Sequence, residues 1–133
     1  IVKLKAATLA HGQIDVASGA HGSQRVPTTT IDALAAERGV PDVVFIDIEG
    51  AECLALAGAS AVLRGNTDFF VEVHVGCGLE QLGGPVETLL SFFPESQFPL
   101  QGKAPDDERF RPLTPHDPLF ASRFFLLALR RPV

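Results

Sequence analysis

The sequence predicts an α/β layer sandwich with a mostly parallel sheet. Runs of β-branched and aromatic residues that are typical of buried strands alternate along the chain with Ala- and Leu-rich stretches of helical spacing. This alternation indicates a sheet covered by helices. The chain has 133 residues, which is the length of one ordinary domain. We therefore expect one α/β domain, or one part of a domain, over residues 1–133.

The first elements are short. Residues 1–9 and 13–16 are predicted to contain strands, and the Gly-, Ser- and Thr-rich stretch over residues 18–30 is predicted to be a loop. Thr30 is the expected N-cap of a helix, and Gly39 is expected to end that helix.

The middle of the chain holds the strongest signals. Residues 43–48 are apolar on both faces, as a central parallel strand is. An Ala- and Leu-rich helix follows over residues 51–63, with a predicted break at Gly58. Residues 68–75 form the second strong strand, and the Gly-Cys-Gly sequence at 76–78 predicts a turn after it.

The last third combines a helix, an irregular stretch and a strand. A helix is predicted over residues 85–93, with Pro85 in its first turn. Residues 94–118 contain six of the ten prolines and are expected to be irregular. The apolar run over residues 124–129 predicts a final strand that is buried on both faces.

Composition narrows the classes of function. The net charge is −5, whereas a protein that grips a nucleic-acid backbone needs a basic face. No apolar run approaches the ~20 residues that cross a bilayer. Cys53 and Cys77 are interpreted as reduced thiols, so we expect a cytoplasmic protein. From the charge and the apolar runs we expect that it binds neither nucleic acid nor membrane. Because the sequence contains no methionine, we expect a processed chain or a piece of a longer one.

Acidic and imidazole side chains stand at the ends of the two strongest strands. Asp47 and Glu49 end the first strand and share a face if it continues to position 49, while Glu72 and His74 share a face of the second. Because ligands bind beyond the carboxyl ends of such strands, we expect these four groups to meet at one edge of the sheet. Glu52 lies in the first turn of the next helix, where its charge favours the helix N-terminus.

Plainer interpretations stay open for the same residues. Asp47 and Glu49 could cap the helix that follows them. Glu72 and His74 could be a half-buried pair that a backbone donor and solvent satisfy. The glycines at 76 and 78 do not form a dinucleotide-binding loop, because the next glycine of that motif would fall at Gln81.

Several short motifs together resemble FkbM-type methyltransferases. The order and spacing of four motifs match that family over about residues 26–75, and residues 124–128 resemble its last strand. The four motifs are T-I-D-A-L at 30–34, D-I-E-G-A-E at 47–52, L-A-G-A at 56–59 and V-E-V-H at 71–74. Phe45 stands where the family usually has lysine, and it is expected to extend the buried strand.

The resemblance implies a three-layer Rossmann-like methyltransferase sheet, mostly parallel with an antiparallel last strand. It also implies that this chain corresponds to the C-terminal part of the domain, with the glycine-rich cofactor loop before position 1. The implied activity is O-methylation of a hydroxyl on a small molecule or sugar, with S-adenosylmethionine as cofactor. His74 or Glu49 is expected to be the catalytic base, Asp47 to contact the cofactor and Glu72 the substrate, and no metal ligand set is predicted.

Two other functions are considered. Residues 46–49 also resemble the first Asp-x-Glu motif of two-metal exonucleases, although His116 and Asp117 do not have the spacing of the later motif. The other alternative is a non-catalytic half-domain that binds a partner. A truncated sheet has an open edge, so a homo-oligomer or pairing with a missing N-terminal segment is expected.

Overall fold

The computed structural model describes residues 2–6, 12–15 and 23–131, and the side chains from Pro27 to Arg131. The first strands are β1 (Val2–Ala6), β2 (Gly12–Asp15) and β3 (Ser23–Val26). They form an antiparallel sheet of order β2-β1-β3. The strand β3 lies where a loop was predicted, and that prediction was wrong because pairing with β1 overrides a sequence of weak strand propensity.

The remaining strands form a second sheet of order β4-β5-β8-β6-β7. Their bounds are Val43–Ile46 for β4, Asp68–Val73 for β5, Leu100–Lys103 for β6, Arg111–Pro112 for β7 and Phe124–Ala128 for β8. The helices are α1 (Ile31–Arg38), α2 (Glu52–Ala57), α3 (Ser60–Arg64), α4 (Leu79–Leu82) and α5 (Val86–Leu90), with a 3-10 helix over Pro118–Ala121.

The five-stranded sheet is mixed. The strands β4 and β5 pair in parallel, whereas β5 with β8, β8 with β6, and β6 with β7 pair antiparallel. The prediction of a mostly parallel sheet was therefore wrong for the described residues, while the antiparallel last strand is confirmed. The cause lies in residues 94–118, which were expected to be irregular but contribute β6 and β7.

The first three helices follow the predicted starts and stops. Thr30 caps α1, because its Oγ1 accepts a hydrogen bond of 3.0 Å from the backbone N–H of Ala33, and Gly39 follows the last turn. The helix predicted over residues 51–63 is broken at Gly58 into α2 and α3, as expected. The one-turn helix α4 was not predicted, and α5 is shorter than the helix expected over residues 85–93.

The core forms on one face of β5 and β8. Phe69, Val71 and Val73 are fully buried on alternate positions of β5, and Phe69 meets the rings of Phe93 and Phe98 edge-on at centroid distances of 5.4 and 6.3 Å. Alternate residues of β8 are fully buried and the others are only half-buried. The expectation that this last strand is buried on both faces was therefore only half right.

The strand β4 lies at the edge of the five-stranded sheet, because among the described residues it pairs with β5 alone. Val43 is 58% exposed and Phe45 is 65% exposed, with the Phe45 ring stacked on that of Phe70 at 5.1 Å. The prediction of a buried central strand was thus wrong for β4. An open apolar groove of about 460 Å³ separates this strand from α1.

Asp117 organises the segment that contains β7 and the 3-10 helix. Its buried carboxylate accepts two hydrogen bonds of 2.7 Å from Arg111, and further ones from the backbone N–H groups of Thr114 and Leu119. The paired guanidinium and these N–H groups hold the pKa of Asp117 well below its ordinary value.

The Asp117→Asn variant is expected to be less stable to urea than wild type at pH 7. A carboxyl whose pKa is lowered in the folded state contributes stability above its unfolded pKa of about 3.9, and loses it as the pH falls through the folded pKa. The difference between variant and wild type should therefore shrink below about pH 4. Asp106→Asn, at an exposed position, is the control. Equal losses for both variants at pH 7 would count against this role of Asp117.

Candidate active site

His74 lies at the centre of a carboxylate cluster beyond the ends of β4 and β5. Its side chain is only 2% exposed. The Nε2 atom lies 3.7 Å from Asp47 Oδ1, 3.6 Å from Glu49 Oε2 and 3.8 Å from Glu72 Oε1. The structure therefore brings together the four residues that the sequence placed at the strand ends. Their catalytic, cofactor-binding and substrate-binding roles stay predictions.

A left-handed turn, and not an extended strand, brings the two carboxylates of the first motif together. The strand β4 ends at Ile46, so Asp47 and Glu49 do not share a strand face. Glu49 has φ of 54° and Gly50 has φ of 102°, and this turn redirects the chain into α2. A non-glycine residue with positive φ is uncommon, and such residues are concentrated at functional sites.

This turn packs against the turn that follows β5. A Cβ atom on Gly50 would lie 2.5 Å from the carbonyl carbon of Gly78, and one on Gly78 would lie 3.0 Å from the carbonyl oxygen of Glu49. The two backbones touch at a distance that only glycine allows. The contact fixes the position of Glu49 relative to the residues that follow β5.

Glu52 is the site residue that the sequence analysis missed. It is fully buried, and its Oε1 accepts hydrogen bonds from the Nδ1 of His74 at 2.8 Å and from the backbone N–H of Gly50 at 2.9 Å. The expectation that its charge serves only the helix N-terminus was wrong. A signal was present: Glu52 precedes Leu56 by one helical turn on the same face, and a carboxylate on a core-facing stripe needs a buried partner.

The pair of Glu52 and His74 fixes the imidazole ring. Because a carboxylate only accepts hydrogen bonds, Nδ1 is the ring atom that donates to Glu52, and Nε2 is the ring atom that faces the cluster. The three facing oxygens lie beyond hydrogen-bond distance from Nε2. An imidazole held in this way can accept a proton at Nε2 while the carboxylate behind it stabilises the charge.

The cluster is strongly negative. Among the described residues, Arg123 is the basic side chain that pairs with it, with Nη1 3.3 Å from Glu72 Oε1. This guanidinium contacts Glu72, while the carboxylates of Asp47, Glu49 and Glu52 are gathered around His74. Such an arrangement favours a cation or a hydroxyl donor as its occupant.

Cys53, which adjoins Glu52, is not suited to act as a nucleophile in this site. Cys53 and Cys77 are both free, as predicted. Burial raises the pKa of the Cys53 thiol, and the adjacent charge of Glu52 raises it further. A thiol is a weak nucleophile until it ionises, so Cys53 is poorly suited to covalent catalysis.

Comparison with known protein families identifies the family of this chain. The sequence matches the family model described as the Methyltransferase FkbM domain over residues 4–97, a span that includes every residue of the cluster except Arg123. No curated protein and no solved structure gives a significant match. Within the described part of the chain, no helix has both the length and the apolar character needed to cross a bilayer. The match lends no support to the nuclease or the partner-binding alternative. From this match we conclude that the chain belongs to the FkbM methyltransferase domain family.

Proposed function

We propose that this chain takes part in S-adenosylmethionine-dependent methylation of a hydroxyl group on a small molecule or sugar. The family match supports methyl transfer in general. The observation that favours a hydroxyl acceptor is the buried His74, held by Glu52 and aimed at three carboxylates. A hydroxyl is a poor nucleophile until a base takes its proton, and this cluster is rich in groups that accept protons.

Bound S-adenosylmethionine would supply a methyl group that is attached to a positively charged sulfur. When the methyl group is transferred, the sulfur keeps the electron pair of the broken bond and becomes a neutral thioether. The residues of this chain then have to position the acceptor oxygen in line with that methyl group and accept its proton. We assign the proton to His74 Nε2 or to the Glu49 carboxylate, which lie 3.6 Å apart. Glu52 is a positioning residue, because it acts through the imidazole.

Asp47 and Glu72 are proposed to orient the two reactants. The Asp47 side chain is 41% exposed, so it is the most accessible carboxylate of the cluster and suits contact with the cofactor. The Glu72 side chain is 13% exposed and is held by Arg123, so it suits a fixed contact with the acceptor. Both are hydrogen-bond acceptors, which fits a positively charged cofactor and an acceptor that carries hydroxyl groups.

The Asp47→Asn variant tests the cofactor assignment. Calorimetry on the full-length protein should show binding of S-adenosylmethionine, and the variant should bind it roughly tenfold or more weakly, because a charge-assisted contact is lost. Asp42→Asn, an exposed carboxylate before the other end of β4, is the matched control. Equal affinities for the two variants would refute the role of Asp47, and full-length protein that binds no cofactor would refute the proposed function.

A further inference from the structure

We infer that Asp47, Glu72 and His74 form a binding site for a divalent transition-metal ion. One ligand atom from each residue lies within 4.8 Å of those of the other two. His74 Nε2 lies 3.7 and 3.8 Å from the two carboxylate oxygens. Two ligands of one ion, each at about 2.1 Å, are separated by at most about 4.2 Å, so both distances suit a shared ion.

The burial and hydrogen bonding of the imidazole also favour a cation. The His74 side chain is 98% buried, since it is 2% exposed, and its hydrogen bond is made through Nδ1. Its Nε2 has no partner within hydrogen-bond distance among the described residues and points at the carboxylate oxygens. With Nδ1 engaged by Glu52, Nε2 is the ring atom left to bind a metal ion, and it faces the two carboxylate oxygens that would complete the site.

The environment of His74 matches that of a metal-bound histidine. Such a histidine usually donates its other ring N–H to a carboxylate, which fixes the tautomer and strengthens the ligand. Glu52 accepts that hydrogen bond at 2.8 Å, and the backbone N–H of Gly50 holds the same oxygen. Because Glu52 is fully buried, we assign it to holding the imidazole in place and not to binding the ion directly.

The donor set selects the class of ion. One imidazole nitrogen and two carboxylate oxygens suit Mn²⁺, Fe²⁺, Co²⁺ or Zn²⁺, whereas Mg²⁺ and Ca²⁺ prefer oxygen donors alone. Arg123, which pairs with Glu72, is a positive charge from the described part of the chain that would oppose a bound ion.

The consequence for catalysis rests on the proposed function. An ion at this site would be held by Nε2 and by the carboxylates of Asp47 and Glu72. Asp47 and Glu72 would then act on the reactants through the ion, and Glu49, which is outside the three-residue group, would be left as the proton acceptor. The ion would bind the acceptor oxygen and favour its ionised form. The hydroxyl proton then goes to Glu49, the oxygen forms a bond to the methyl carbon, and the carbon–sulfur bond breaks with its electron pair on sulfur.

The test uses Co²⁺ and Mn²⁺ alone, titrated into chain that has been treated with a chelator, with no cofactor or acceptor present. Visible absorption for Co²⁺ and calorimetry for Mn²⁺ should show one ion per chain. Glu52→Gln should weaken binding about 10–100-fold, and Asp47→Asn and Glu72→Gln at least as much. Arg123→Gln should tighten binding because it removes a positive charge, and Asp42→Asn should leave it unchanged.

Two results would overturn the ion site. One is the absence of Co²⁺ and Mn²⁺ binding, and the other is binding that Asp47→Asn and Glu72→Gln leave unaltered while circular dichroism shows both variants folded. Asp47 is more exposed than Glu52, so Asp47→Asn is expected to fold even if Glu52→Gln does not. The Asp47→Asn variant therefore tests the ion site in either case. Ion binding without methyl transfer would contradict the proposed function alone.

Discussion

The Glu49→Gln variant is expected to transfer methyl groups roughly 10²–10⁴-fold more slowly than wild type, because glutamine cannot accept the proton of the attacking hydroxyl. Glutamine keeps the size of the side chain, so the turn in which position 49 adopts φ of 54° should persist. The measurement is transfer of a labelled methyl group by the full-length protein to hydroxyl compounds that it accepts.

The companion variant, His74→Gln, separates the two candidate bases. If Nε2 is an ion ligand, this variant loses both Co²⁺ binding and activity, whereas Glu49→Gln loses activity and keeps the ion. If Nε2 is itself the base, Glu49→Gln retains most of its rate. Rates within about threefold of wild type for both variants would show that this cluster is not the catalytic site.

The Gly50→Ala variant is expected to destabilise the fold by about 3 kcal/mol or more, out of the 5–15 kcal/mol that such a domain has in total. Two effects add. Position 50 has φ of 102°, and the new methyl group would lie 2.5 Å from the backbone carbon of Gly78. The atoms that the methyl group would meet belong to the backbone, so they cannot move aside as a side chain can. One of the two turns must therefore shift, which strains the hydrogen bond from Gly50 N–H to Glu52.

A matched control comes from Gly76→Ala in the neighbouring turn. Its φ is 73°, and a Cβ atom there would meet nothing within 4 Å. Gly76→Ala should lose stability only through the left-handed backbone conformation, which costs about 1–2 kcal/mol. Urea denaturation of both variants gives the difference, which isolates the contact between the turns. A Gly50→Ala variant that is no less stable than Gly76→Ala would show that the turns yield easily.

In the five-stranded sheet, the apolar strands were predictable and the polar ones were not. The runs that form β4, β5 and β8 are strongly apolar, so the sequence indicated them directly. The strand β6 has the sequence Leu-Gln-Gly-Lys, and β7 is two residues long and contains a proline. These two strands exist because β8 offers them a partner, which is a tertiary interaction that no local pattern encodes.

Four residues of the candidate site were predictable, but the way the site is built was not. Strand ends indicated Asp47, Glu49, Glu72 and His74, and the structure does bring them together. The rule of alternating faces did not describe the first pair, because a left-handed turn and not a strand places Glu49. Glu52 was missed because a carboxylate in the first turn of a helix has a sufficient local explanation, which hides its burial.

The position of β8 affects how the sheet can assemble. This strand is the last of the described strands to leave the ribosome, yet it lies between β5 and β6 and pairs with both. Until β8 is synthesised, β6 and β7 cannot join the rest of the sheet, and one edge of β5 has no strand to pair with. Completion of the sheet therefore waits for the synthesis of β8, and the strands made before it have to be kept from aggregating until then.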